Sequence, residues 1–129
     1  MHTRSLYDYA VVRLVPLVER EEFINVGVIV SCPQKEYLEA RIELDKERLA
    51  ALFPAVDLAE VRAHLEVVPR IAAGGAEAGP IGLMSQRERF HWLVAPRSTI
   101  VQTSPVHTGF CDDPSAVLER LMQKMVRLS

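Results

Sequence analysis

Phe23-Ile24-Asn25-Val26-Gly27-Val28-Ile29-Val30-Ser31-Cys32 is the stretch on which the fold turns. Its density of β-branched residues predicts a strand. Ile24, Val26, Val28, Val30 and Cys32 alternate into one apolar face, while Asn25 and Gly27 interrupt the opposite one. Upstream, Tyr7 to Val15 reads as a partner strand, with Tyr7, Tyr9, Val11, Arg13 and Val15 on one side and Asp8, Ala10, Val12 and Leu14 on the other. Pro16 weakens pairing beyond it, and the polar run Glu19 to Glu22 supplies a short turn, so an antiparallel hairpin follows. That register sets Arg13 across from the Asn25 and Gly27 side. Downstream of the break at Pro33, Tyr37 to Leu44 alternates strictly. Leu38, Ala40, Ile42 and Leu44 are to be buried, and the first half becomes a three-stranded meander.

Helices are expected next. Asp45 caps a short one carrying Leu49, Leu52 and Phe53 and ending at Pro54. Asp57 with Glu60 opens a second, striped by Leu58, Val61, Leu65 and Val68, with Pro69 near its end. Ala72 to Pro80 reads as a flexible loop. Ser85 with Glu88 marks a capping box for a helix over Gln86 to Val94, with a strand over Phe90 to Val94 as the competing reading. Thr99 to Thr103 is expected to be a fourth strand. Asp113-Pro114 pairs an N-cap with proline at the first helical position, opening an amphipathic helix with Val117, Leu118, Leu121, Met122, Met125 and Leu128 on one side. The fold class is therefore α+β: a mainly antiparallel sheet, an N-terminal meander plus a later strand, packed by a few helices including the C-terminal one. The 129 residues suit a single domain, 1–129, able to bury a core without disulfide or metal.

Composition narrows the function classes. The formal charge is −2 with only three lysines, Lys35, Lys46 and Lys124, so the clustered cations of non-specific nucleic-acid binding are missing. No apolar run approaches the ~18 residues of a membrane span, and no signal peptide opens the chain, which points to the cytoplasm. Cys32 reads as a buried thiol and Cys111 as lying in a polar, exposed turn, with no shared disulfide framework. His2, His64, His91 and His107 lack metal spacing, so neither a metal nor a cofactor is expected.

Chemistry-bearing side chains concentrate between Arg97 and Asp113. Arg97, Ser98, Gln102, Ser104 and His107 form a candidate anion site, because an Arg fork, hydroxyls and imidazole suit a carboxylate or phosphate. Arg97 and His107 serve one site only if Ser104-Pro105 turns the chain back; Gly109 permits a further turn. A second candidate lies on the sheet: Arg13, Glu22 and Asn25, with Arg13 either salt-bridged to Glu22 or facing a ligand. The Ser, His and Asp of the segment lack a nucleophile elbow, which weakens a hydrolase reading. Trp92 and Tyr37 read as packing residues.

Two blocks then carry a resemblance. The first is Tyr7-Asp8-Tyr9-Ala10-Val11-Val12-Arg13-Leu14-Val15-Pro16 with Glu22-Phe23-Ile24-Asn25-Val26-Gly27-Val28. The second is Arg89-Phe90, Trp92-Leu93, Ala95-Pro96-Arg97-Ser98, Gln102, Ser104-Pro105, His107, Gly109 and Asp113-Pro114. Together they resemble the bacterial family catalogued as domain of unknown function 3037, over nearly the whole chain. The resemblance makes Arg13, Glu22, Asn25, Gly27, Arg97, Ser98, His107 and Gly109 prominent, without assigning them roles. It implies a partner or accessory role beside HipA-like kinase proteins, within a toxin–antitoxin or defence-type module. The expected function is accordingly a non-enzymatic partner or regulatory domain contacting a protein or small anion. One alternative is a small enzyme on a phosphorylated or nucleotide-like substrate, with Arg97 binding and His107 as acid or base. A nucleic-acid-binding module is the other.

Overall fold

The computed structural model describes residues 4–127, which places His2 and Leu128 outside the described residues. Strands β1 (Ser5–Leu14), β2 (Ile24–Cys32) and β3 (Tyr37–Ile42) form the expected antiparallel meander. Helices α1 (Lys46–Leu52), α2 (Leu58–Ala73) and α3 (Gln86–Val94) follow. Then come β4 (Val101–Thr103), β5 (His107–Cys111) and α4 (Pro114–Met125). The sheet order is β3-β2-β1-β4, and β5 pairs with the same edge of β1 as β4 does. Helices cover both faces, so the fold is α+β with a mainly antiparallel five-stranded sheet.

Each helix begins where its cap dictates. Asp45 accepts hydrogen bonds from the amides of Glu47 and Arg48, Asp57 from that of Glu60, and Asp113 from that of Ser115. Ser85 and Glu88 complete the reciprocal capping box, and α3 is a helix rather than a strand. The second helix overruns its expected end. Pro69 lies inside it, and burial of Ile71 and Ala72 against the core carries α2 on to Ala73. The loop expected from Ala72 to Pro80 is thereby shortened to two 3-10 turns, Ala76–Ala78 and Pro80–Leu83, closed by Gly75 N–H donating to Gly82 O at 2.8 Å.

The decisive strand departs from simple alternation. Val12 pairs with Gly27 but Arg13 with Asn25, so Val26 is an extra residue in a β-bulge. Ile24 and Val26 consequently join Val12, Leu14 and Ile29 under α2 and α3, whereas Val28, Val30 and Cys32 face α4 with Tyr7. One apolar stripe in the sequence serves two cores. The third strand also stops at Ile42, short of Leu44.

The later strands needed the larger correction. Strand β4 is limited to Val101–Thr103, and residues His107 to Cys111, expected as loop, form β5. Val12 pairs with Thr103 and Tyr9 with His107, so β4 and β5 run the same way along β1 as one interrupted strand. Ser104-Pro105 therefore does not turn the chain back. Proline has no N–H for the ladder, and Ser104 carries the pairing with Val11 instead: its N–H donates to the Val11 carbonyl at 2.9 Å and its hydroxyl oxygen accepts from Val11 N–H at 2.9 Å. Gly109 makes no turn either. It faces Tyr7, whose hydroxyl would lie 2.7 Å from any Cβ placed there. Cys111 is buried rather than exposed; burial pushes its thiol pKa up, reinforced by the neighbouring Cys32 thiol.

Asp8 ties β1 to α3, accepting from Arg87 at 2.6 Å and from Thr108 at 2.7 Å. Burial alone would raise its pKa. The Thr108 and Arg87 hydrogen bonds, with the Arg87 and His91 charges, outweigh that and hold it below the ordinary 3.8. Its contribution to stability is then complete above the ordinary value and is lost as pH falls through the lower folded one. Denaturation midpoints followed from about pH 6 to about pH 2 should show wild type above Asp8→Asn near neutrality, with the gap closing below the ordinary value. A gap constant across that range would contradict the assignment.

Candidate functional site

The bulge also positions the site. Helix α4 covers the face of β2 carrying Val28, Val30 and Cys32, and ends at Met125, whose carbonyl accepts from Asn25 Nδ2 at 3.1 Å. Past that point on the same face stands Arg13, with Asn25 beside it on β2 and Gln102 beside it on β4. The Phe23 ring lies 4.3 Å from its guanidinium, a cation–π contact. Arg13 Nε is buried and has no hydrogen-bond partner among the described residues.

Arg97 reaches the same place from another element. After Ala95-Pro96 ends α3, its guanidinium folds back over the Trp92 indole at 3.9 Å and donates to the Trp92 carbonyl. Burial lowers its pKa below the ordinary value, yet a guanidinium remains charged near neutrality. Arg13 and Arg97, with Ser98, Gln102, Val15, Val18, Phe23 and Glu21, line one cleft of about 270 Å³. Neither guanidinium has a carboxylate within ion-pairing distance among the described residues. Glu21, held at a positive φ of 57°, is the one acidic side chain of the lining.

The remaining candidates are not part of this cleft's lining. Glu22 pairs with Arg20 at 2.6 Å, so the salt bridge to Arg13 considered from sequence is not formed. Asn25 is engaged with the end of α4. The Ser104 hydroxyl is spent on Val11 N–H and the Pro105 carbonyl. His107 stacks against Tyr9, ring centroids 5.3 Å apart. Its pairing with Tyr9 puts it four residues along β1 from Arg13, about 13 Å at strand spacing. The structure thus unites Arg97, Ser98 and Gln102 with Arg13 and leaves His107 outside. Gln102 Nε2 donates one hydrogen to the Thr99 carbonyl, at 2.9 Å, and retains a second.

Sequence reasoning missed the contributions of Phe23, Val18 and Trp92. Trp92 reads from sequence as a packing residue, and only its position five residues before Arg97 hints at stacking. Among the described residues no group of three or more His, Cys, Asp or Glu is placed to hold a metal ion. No helix there is long and apolar enough to cross a membrane.

No curated protein and no solved structure matches the chain. A family profile described as "Protein of unknown function (DUF3037)" matches residues 9–126, nearly the whole chain. The bulged hairpin that carries Arg13 and the α3–β4 connection that carries Arg97 both fall inside that match, and the chain belongs to the DUF3037 family.

Proposed function

We propose that this domain is a non-enzymatic binding and regulatory module that recognises a phosphate or carboxylate group in the Arg13–Arg97 cleft. The observation that carries the reading is the buried, unpartnered Arg13 Nε beside a second guanidinium without a carboxylate. An unsatisfied buried donor costs about 1–3 kcal/mol, more for a charged group, and a bound anion recovers that loss. The planar forks of two arginines also match the paired oxygens of a carboxylate or phosphate. Binding is favoured over catalysis because His107, the acid or base of the enzymatic alternative, stands away from the cleft. The accessory role beside a HipA-like kinase rests on the family resemblance, and a cytosolic setting suits the two free thiols. Co-elution of a kinase-like protein from the native host tests the first of these.

Thermal melts test the site. Phosphate or sulfate should raise the wild-type melting temperature with concentration, through binding to the folded state. Arg97→Ala should abolish the rise, and Glu21→Gln should enlarge it by removing a competing carboxylate. An unchanged wild-type melt, or a rise that survives Arg97→Ala, would sink the proposal.

A further inference from the structure

The Arg13–Arg97 cleft does not stand alone. Val18, Arg97 and Ser98 also line a second cavity of about 470 Å³, between α2, α3 and the segment leading into β4. Its walls are mainly aliphatic: Val67, Val68, Leu93, Ile100 and Val101, with the Trp92 indole. Val67 is 42% exposed, an uncovered apolar side chain on this wall. Arg97 stands at the junction, its guanidinium stacked on Trp92 and lining both cavities.

From these shared walls we infer that the ligand is an amphipathic anion of the acyl type, with its carboxylate or phosphate head between Arg13 and Arg97 and an aliphatic tail along Val67, Leu93 and Ile100. The inference rests on the anion-binding reading and adds the ligand's chemical class. The lining argues against a nucleobase. Apart from Arg97 and Ser98, its polar groups are His64, the Trp92 indole N–H and Thr99, whose hydroxyl hydrogen is already donated to the Val101 carbonyl at 2.8 Å. A base edge needs several placed donors and acceptors, whereas an alkyl chain needs only a dry aliphatic wall. One face of the Trp92 ring is already taken by Arg97, which leaves no two-sided stacking slot.

Straight-chain carboxylates from acetate to octanoate test this, with inorganic phosphate as the head-only probe. Affinity should tighten by about fourfold per added methylene until the cavity is filled, from the free energy of burying each group. Trp92 is the single tryptophan, so its emission should shift with octanoate and stay unchanged with acetate. Val67→Asp, on the exposed wall, should erase the chain-length dependence and leave phosphate binding intact. If phosphate binds while acetate and octanoate bind equally, the acyl inference fails and the anion reading stands. Chain-length dependence that survives the Arg13→Met, Arg97→Ala double variant would overturn both, because the head would not be anchored there. Binding of neither probe would overturn both as well.

Discussion

Leu121→Asp is expected to cost several kcal/mol, on the order of most of the stability of a domain this size. Leu121 is 4% exposed and sits mid-stripe on α4, packed with Leu118 and Met122 over Val28, Val30 and Cys32. Among the described residues no other helix contributes to the buried cluster on that face, so a carboxylate there is desolvated among apolar side chains. Gln123→Asp, on the exposed side of the same helix, should change stability little. Urea unfolding of both variants checks the contrast. A Leu121→Asp melt within a few degrees of wild type would mean that α4 does not pack as described.

Arg89→Ala should be the second severe lesion, costing on the order of 3 kcal/mol or more. Arg89 is buried with no carboxylate at ion-pairing distance among the described residues. Its Nε donates to the Ile71 carbonyl at 2.9 Å, Nη1 to Met84 at 2.7 Å and Nη2 to Ala72 at 3.3 Å. The carbonyls of Ile71 and Ala72 belong to the last turn of α2, where helical partners run out and the dipole favours a cation. Gly74, at φ 78°, ends the helix directly against this guanidinium, where a Cβ would approach Arg89 Cζ to 2.8 Å. Arg89→Lys should rescue only part of the loss, since an ammonium cannot span three carbonyls in one plane. Loss of hydrogen-exchange protection confined to the end of α2 in Arg89→Ala would identify the mechanism. Full stability of Arg89→Ala would contradict it.

Local chemistry made most of the elements legible. The Asp45, Asp57, Ser85 and Asp113 caps each announced a helix start through a side chain that competes for free amides. The alternation of β1 read correctly because its pairing with β2 stays in step up to Val12. What failed was whatever depended on the partner. The bulge at Val26 leaves no mark in a run of valines and isoleucines, so the period-2 reading assigned β2 to one core rather than two. Strand β5 was hidden because His107, Thr108 and Gly109 have little apolar pattern; it exists because β1 extends beyond β4 and offers an unpaired edge. The same continuation separated His107 from Arg97. Sequence proximity grouped Arg97, Ser98 and Gln102, which line one cleft, but their nearness to Arg13, far away in the chain, depends on β4 pairing with β1.

The central claim is that Arg13 and Arg97 hold one anion between them, and the Nε–H resonances of these two side chains in a ¹⁵N-labelled protein test it most directly. On titration with phosphate, both signals should move together along one saturable curve. Arg13 should show the larger displacement, because its buried Nε passes from no partner to a charged one. Arg20 and Arg70, exposed and already ion-paired, should stay in place. If Arg13 and Arg97 remain fixed while exposed arginines drift in proportion to salt, the cleft binds no anion and the account is wrong.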